Sequence, residues 1–345
     1  MSELVNVAIA GATGAVGEAM REILEQRNFP VGRLSLLASE RSAGKRLQFR
    51  GHSVQVERLD QFDFSDTDIG LFSAGGSLSE TFAPKAAEAG CIIIDNTSQF
   101  RYHDDIPLVV PEVNAQVLEA PNPRNIIANP NCSTIQMVVA LKPIHDAARI
   151  TRVNVATYQA VSGAGASGVQ ELAGQTASLL NAKPIEPDVM PKQIAFNAIP
   201  RIDSFQDNGY TREEMKMVWE TQKILGDESI QVNPTCVRIP VFYGHSEAVH
   251  IETEAKVSAR EVRELLGAAP GVVVIDDPEA EGYPTPVDDA AGTDPVFVGR
   301  IREDISHRNG INLWVVSDNV RKGAALNSVQ IAERLLEIGA CRTRS

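Results

Sequence analysis

With 345 residues the chain can bury a large core, and that length suggests two domains. Asp and Glu outnumber Lys and Arg by 45 to 32, giving a net charge of -13 with the basic residues scattered, which excludes the electrostatic footprint of a nucleic-acid partner. No apolar run approaches membrane-spanning length, Met1 to Ala10 lacks the pattern of a signal peptide, and Cys91, Cys132, Cys236 and Cys341 lie far apart with no C-x-x-C pair, so a cytoplasmic protein with reduced thiols, no membrane partner and no metal site is expected.

Val5 to Ala10 reads as a strand that runs into Gly11-Ala12-Thr13-Gly14-Ala15-Val16-Gly17, followed by a helical pattern (Met20, Ile23, Leu24) up to Asn28. Glycines at that spacing let backbone approach a pyrophosphate, and the helix N-terminus supplies N–H donors with a favourable dipole. Leu34 to Ala38 reads as the second strand, ending in Ser39-Glu40-Arg41-Ser42-Ala43-Gly44. An arginine at this tip accommodates a 2′-phosphate, whereas an acid there holds a ribose 2′-OH, so Arg41 favours NADP and Glu40 is the sign for NAD. Successive residues at a strand end face opposite ways, which predicts Ser39 and Arg41 inward and Glu40 outward.

Asp68 to Ser73 and Cys91 to Asp95 read as further strands, with Thr81 to Ala89 the helix between them, and their loops (Ser73-Ala74-Gly75-Gly76; Asn96-Thr97-Ser98) should line the cofactor. Arg101, just beyond, is a candidate anion clamp. Ile126-Ile127-Ala128 leads into Asn129-Pro130-Asn131-Cys132, and Ser133 to Ala148 carries apolar residues at helical spacing. Cys132 therefore sits on a turn at a helix start, where unpaired N–H groups and the dipole favour the thiolate; the same N–H groups could hold the oxyanion of a tetrahedral adduct.

From Thr151 the pattern changes. Val153 to Gln159 alternates like a strand and ends in a small-residue loop, Ala160 to Gly168, followed by a helix over Val169 to Leu180. The Pro-rich segment Lys183 to Pro200 reads as irregular and exposed, and Thr211-Arg212-Glu213-Glu214 as a capping box for a helix to Leu225, which gives Glu214 a capping role with Lys216 just beyond it. Val232 to Phe242, His250 to Val257, Val272 to Asp276, Phe297 to Arg302 and Asn312 to Ser317 are strand-like and suggest a mixed or antiparallel sheet; Ala324 to Ile338 is a closing helix that returns to the first domain.

The Gly11-to-Gly17 turn, Ser39-Glu40-Arg41-Ser42, Asn131-Cys132-Ser133-Thr134, Tyr158 to Gly165, Glu213-Glu214-Met215-Lys216, Arg238-Ile239-Pro240-Val241 and Gly244-His245-Ser246 stand in the order in which they occur in aspartate-semialdehyde dehydrogenases, which the chain resembles over essentially its whole length. The resemblance implies an α/β protein: a Rossmann-type doubly wound NADP-binding domain over 1–130, completed by the C-terminal helix at about 320–345, and an α+β catalytic and dimerisation domain over 131–319. It implies reductive dephosphorylation of 4-phospho-L-aspartate by NADPH to L-aspartate 4-semialdehyde and phosphate, on the route to lysine, threonine and methionine, by a homodimer.

Carried over by position, Cys132 is the nucleophile that forms a thioester, His245 its acid/base partner and Gln159 the residue that orients the acyl group. Arg238 matches the clamp on the substrate α-carboxylate, Arg101 and Lys216 the phosphate site with Glu214 beside it, and Asn131 stands with these substrate residues. Gly11, Thr13, Gly14, Ala15, Val16, Ser39, Arg41, Ser42, Ser73 and Gly75 match cofactor contacts of the first domain; Ser162, Gly163 and Asn319 match those of the second. Two other readings stand beside this one. An N-acetyl-glutamyl-phosphate reductase would follow the same logic but is expected to carry Tyr-Pro where this chain has Ser133-Thr134. A non-catalytic NADP-binding redox sensor leaves His245, Arg238 and Lys216 without a shared purpose.

Overall fold

The computed structural model describes residues 4–341; the start of the Met1 to Ala10 stretch and the end of the 320–345 segment lie outside the described residues. The chain divides into two compact units, Met1–Pro130 with Ala324–Ser345, and Asn131–Gly323.

In the first unit, β1 (Val5–Ala10) is buried at every position, as its unbroken apolar run requires of a strand covered on both faces. It is followed by α1 (Ala15–Gln26), β2 (Val31–Ala38), β3 (Arg46–Phe49), β4 (His52–Arg58), β5 (Ile69–Phe72), α2 (Gly76–Glu88), β6 (Ile92–Asp95), α3 (Pro111–Asn114) and β7 (Ile126–Ala128). The sheet runs β3-β4-β2-β1-β5-β6-β7, parallel except for β3 against β4. The chain moves outward from β1 to β2 and then returns to β5 on the other side, so the crevice past the carboxyl end of β1 is the switch point of a doubly wound sheet. This is the Rossmann-type arrangement expected.

The β3–β4 hairpin was not expected. Its two-residue turn, Arg50-Gly51, holds φ of 48 and 74°, the type I′ geometry that sequence signals as Asn-Gly or Asp-Gly; an arginine there hides it. The helix α2 also begins well before the expected Thr81. Its glycine- and serine-rich first turn is a poor helix former on its own, but the Ser79 hydroxyl, fully buried, donates to Asp95 at 2.7 Å and ties the turn to the end of β6.

The second unit begins with α4 (Cys132–Ala148) and continues through β8 (Ile150–Gln159), α5 (Gly165–Leu180), α6 (Arg212–Leu225), β9 (Gln231–Arg238), β10 (His245–Thr253), α7 (Ala259–Gly267), β11 (Val272–Val274), β12 (Val296–Glu303) and β13 (Gly310–Ser317). Its sheet runs β11-β12-β13-β10-β8-β9, antiparallel in the middle with a parallel pair at each edge, so it is the mixed sheet of the two expected forms. Pro234 is tolerated in β9 because that strand is an edge.

Several boundaries differ from the sequence reading, two of them near the buried end of the sheet, and one helix is additional. β10 starts at His245 rather than His250, because Gly244, at φ 90°, turns the chain directly into the ladder and the polar Ser246 and Glu247 are buried in it. β9 stops at Arg238 instead of running to Phe242, as the Pro240 that follows cannot donate to a ladder. The helix α7 was overlooked although its capping box, Ser258 with Glu261, was legible. The segment Lys183 to Pro200 is irregular but not exposed throughout: Met190, Ile194, Ala195 and Ile199 are buried against Val161 and Leu172, while Glu171 and Gln175 of α5 accept backbone N–H groups of the segment. The closing helix α8 (Leu326–Glu337) belongs to the first unit, where Arg27 at the end of α1 pairs with Glu333 through two contacts of 2.7 and 2.8 Å.

Candidate active site

Register assembles the second-unit residues. Gln159 and Arg238 are paired neighbours at the ends of the parallel strands β8 and β9, and β10 runs antiparallel to β8 with Ser246 opposite Tyr158, so His245 arrives at the same end of the sheet. Gln159, Arg238 and His245 are all buried, and Gly163 passes so close that a Cβ there would lie 2.7 Å from Arg238 Nη1 and 3.4 Å from His245 Nε2. The backbone of Ala160 holds two of them: its N–H donates to His245 Nδ1 at 3.0 Å and its carbonyl accepts from Arg238 Nη1 at 2.6 Å. Burial, and then the Arg238 cation, push the His245 imidazole down to about 3, so it is neutral at ordinary pH.

Cys132 is the first residue of α4 and is half-buried, with Gly323 packed so tightly on it that a Cβ would fall 2.8 Å from the Cys132 Cβ. Asn131 is the N-cap: its Oδ1 accepts from the N–H groups of Ser133 at 3.0 Å and Thr134 at 3.3 Å. This corrects one expectation, since these two helix N–H groups are already satisfied and do not stand open for an oxyanion. Asn131 is itself clamped by α6, its backbone N–H donating to Glu220 at 2.6 Å and its amide to Glu213 at 2.9 Å.

Glu213 is the hub that sequence reading missed. Its carboxylate accepts from Asn131, from Gln159 Nε2 at 3.1 Å and from Lys216 at 2.9 Å. Burial pushes this carboxyl up, but Lys216, with the two amides, holds it down at about 2. Lys216 also meets Asp203 at 3.0 Å, and these two carboxylates outweigh burial and raise its pKa. Glu214, given a place beside the phosphate site, is turned away: its oxygens accept from the N–H groups of Thr211 and Cys236 at 2.6 and 3.0 Å, so the capping role is the one it has. The signal for Glu213 was available, because Glu213, Lys216 and Glu220 recur at the three- and four-residue spacing of one helix face. Ser162 and Asn319, expected to act together with Gly163, are hydrogen-bonded to each other at 2.9 Å, and Asn319 Oδ1 also accepts from Gly244 N–H at 3.0 Å.

In the first unit a cavity of about 530 Å³ is lined by Gly11, Thr13, Gly14, Ala38, Ser39, Ser73 and residues around them. The glycines are there for space: a Cβ on Gly11 would meet Ser73 O at 2.5 Å, and one on Gly17 would meet Gly11 O at 2.3 Å. The N-cap of α1, Gly14, makes no side-chain cap, in contrast to Asn131 on α4, so a dinucleotide pyrophosphate fits this helix start. At the tip of β2 the expected alternation fails. Residues Glu40–Ser42 form a turn of 3-10 helix, and Glu40 lines the cavity while exposed Arg41 is not among the lining residues. Arg58, at the end of β4, lines it instead and pairs with Glu40 and Asp60, each at 2.7 Å. Arg58 escaped notice because the hairpin carrying it did. Arg101, also in this unit, is buried and donates to the carbonyls of Thr97 and Asn96, each at 3.0 Å.

Comparison with known proteins agrees with this geometry. Residues 6–120 match the semialdehyde dehydrogenase NAD binding domain and residues 141–322 the semialdehyde dehydrogenase dimerisation domain. An aspartate-semialdehyde dehydrogenase of Shewanella violacea is 62% identical over 97% of this chain and 99% of its own, and aspartate-semialdehyde dehydrogenase 2 of Vibrio cholerae is 63% identical over the same shares. The crystal structure of aspartate semialdehyde dehydrogenase II complexed with ASA from Vibrio cholerae superposes with a TM-score of 0.96, at 62% identity over 97% of this chain and 99% of that one. The enzyme from Candida albicans, solved with NADP, does so with a TM-score of 0.76 at 27% identity, over 96% of this chain and 98% of that one. Neither the N-acetyl-glutamyl-phosphate reductase reading nor the redox-sensor reading is favoured. With a nucleotide-binding unit, a cysteine at the head of α4 and relatives that cover it from end to end, the chain belongs to the aspartate-semialdehyde dehydrogenase family.

Proposed function

We propose that the chain catalyses the NADPH-dependent reductive dephosphorylation of 4-phospho-L-aspartate to L-aspartate 4-semialdehyde and phosphate, in the biosynthesis of lysine, threonine and methionine. The observation that carries this reading is the gathering of Arg238, Gln159, His245, Glu213 and Lys216 at one end of one sheet, with Glu213 holding the Asn131 that precedes Cys132. Cys132 attacks the acyl phosphate carbonyl, the carbon–oxygen bond to phosphate breaks, and a thioester remains on the sulfur. Arg238 takes the substrate α-carboxylate through a planar, charge-assisted contact. Lys216 receives the phosphate, and the resemblance assigns Arg101 to the same anion. Glu213, negative and buried, takes over the place given to Glu214 and suits the substrate ammonium. Gln159 orients the acyl group, and His245, neutral in its buried place, is the acid/base partner of Cys132.

The first unit, with 1–130 and about 320–345 as its extent, holds the cofactor through Gly11, Thr13, Gly14, Ala15 and Val16 on the pyrophosphate side, and through Ser39, Ser42, Ser73 and Gly75 around them, with Arg58 in the place expected of Arg41. The resemblance also assigns cofactor contacts to Ser162, Gly163 and Asn319 of the catalytic and dimerisation domain, 131–319. When bound, NADPH supplies the hydride that reduces the thioester. The match to a dimerisation domain over 141–322 supports a homodimer. A cytoplasmic location follows from the biosynthetic role; among the described residues no helix is long and apolar enough to cross a membrane.

The test is a single cuvette holding protein, NADP and aspartate semialdehyde. Absorbance of NADPH should grow only after phosphate is added. Growth without phosphate, or a preference for N-acetyl-glutamate semialdehyde, would contradict the reading.

A further inference from the structure

Lys216 on α6 is held between two carboxylates that are not equivalent. Glu213 Oε2 accepts one of its N–H groups at 2.9 Å and Asp203 Oδ2 another at 3.0 Å, which leaves the third proton of the ammonium for an incoming anion. Glu213 is buried, and its other oxygen, Oε1, accepts from the Asn131 and Gln159 amides, so it cannot move without breaking up the site. The Asp203 side chain is 34% exposed, and its other partner is the N–H of the adjacent Ser204, which donates to Oδ1 at 2.8 Å. Burial pushes the Asp203 carboxyl up, but Lys216 holds it below its ordinary value, so it is charged at neutral pH.

The backbone around Asp203 is fixed on both sides. Ile199 exchanges two backbone hydrogen bonds with Arg238 of β9, at 2.8 and 2.9 Å, and the Arg212 N–H at the start of α6 donates to Ser204 O at 2.7 Å. Asp203 itself stands in the left-handed region at φ 68°, which Asp and Asn adopt more readily than most residues. The main chain is thus held where Asp203 leaves it, and rotation about the side-chain torsions is enough to swing the carboxylate off Lys216 into water.

We propose that Asp203 is an exchangeable counter-ion of Lys216: its carboxylate and the phosphate compete for the same ammonium, so Asp203 weakens phosphate binding, and its return to Lys216 drives phosphate out once the thioester has formed. The proposal deepens the reading of the previous subsection and rests on it for Lys216 as the phosphate ligand. The charges require a displacement. Glu213 and Asp203 together outweigh the single charge of Lys216, and a phosphate dianion brought to that set is repelled by both carboxylates. Moving Asp203 into water removes one of them and frees a second ammonium proton for a phosphate oxygen. Arg238 does not relieve the repulsion, because it is engaged with the substrate α-carboxylate. No covalent bond changes in this step; one ionic hydrogen bond is exchanged for another.

Isothermal titration of the full chain, saturated with NADP, with inorganic phosphate reads the competition without turnover. Asp203→Asn removes the charge while asparagine keeps the positive φ; it should bind phosphate roughly fivefold tighter or more, and lower the KM for phosphate by the same factor while the KM for the semialdehyde stays within about twofold. Unchanged or weaker phosphate binding would make Asp203 a support of Lys216 and overturns the proposal. Lys216→Met separates this from the functional reading. It should lose phosphate binding; a Lys216→Met protein that binds phosphate like the wild type removes Lys216 from the phosphate site, and the functional assignment falls together with the proposal. A crystal of the wild type grown with phosphate needs no variant: phosphate should lie on Lys216 with Asp203 beyond hydrogen-bond reach and the Glu213 contact kept. Phosphate on Lys216 with the Asp203 contact intact overturns the proposal.

Discussion

The Lys216 ammonium lies 2.9 Å from the Glu213 carboxylate, both nearly buried, with Asp203 closing the other side of the lysine at 3.0 Å. The cation is thus held in place before an anion arrives, while Arg238 is held independently by the Ala160 carbonyl. Two anion sites with separate supports should fail separately. Lys216→Met is expected to raise the KM for phosphate and Arg238→Leu the KM for the semialdehyde, each lost charge-assisted contact amounting to about 1.5–3 kcal/mol. Steady-state kinetics with one substrate varied at a time checks this; equal effects of both variants on both constants would collapse the assignment.

The cysteines differ in how far burial suppresses them. It raises the Cys91 and Cys236 thiols far above their ordinary value and Cys341 to about 11, whereas Cys132 is only half-buried at a helix start. Mild iodoacetamide should label Cys132 first, and Cys132→Ala should abolish turnover while NADPH still binds. Peptide mass spectrometry reads the labelling order, and preferential labelling of another cysteine would count against Cys132 as nucleophile.

Cofactor choice turns on the ion pairs at the cavity. With Arg41 turned inward by strand alternation, Arg41→Ala would weaken NADPH by roughly tenfold or more, the scale of one ionic hydrogen bond. With Arg58 lining the cavity and Arg41 outside its lining, the larger loss of NADPH affinity is now expected from Arg58→Ala, with NADH changed little. Fluorescence titration of both cofactors against both variants decides it, since a greater effect at Arg41 would restore the strand-alternation reading.

Glu247 predicts a pH dependence of stability. Burial raises the folded-state pKa well above the ordinary carboxylate value, against a smaller opposing effect of the Gln136 amide, and among the described residues neither carboxyl oxygen has a partner at hydrogen-bond geometry. Below the unfolded pKa the group is protonated in both states and its contribution is fully present. As pH rises toward the folded value, the unfolded chain releases the proton and the folded one does not, so stability falls. Glu247→Gln should remove that decline, and its stability relative to wild type should grow between about pH 5 and about pH 8 in urea unfolding. A difference that stays constant with pH would show that Glu247 does not titrate this way.

What the sequence made legible follows from how local each signal is. The β1–glycine turn–α1 unit and the strand leading to Cys132 announce themselves through continuous apolar runs broken by glycine or proline, which local backbone physics dictates. Arg238, Gln159 and His245 were named through family resemblance, and no local signal says that β8, β9 and β10 bring their ends together; that is set by sheet register. Glu213 and Glu214 are adjacent and chemically identical, so only the helix phase relative to Asn131 separates hub from cap. Strand alternation misplaced Glu40 and Arg41 because the chain leaves β2 before it reaches them, and a 3-10 turn has no two-residue period.

A thioester on Cys132 is the intermediate on which the reaction turns, and it can be trapped directly. Protein mixed with 4-phospho-L-aspartate in the absence of NADPH, quenched in acid and digested, should yield the Cys132 peptide carrying one aspartyl group, with phosphate released in step and no adduct in Cys132→Ala. Phosphate release without an adduct, or an adduct on another residue, would contradict the account.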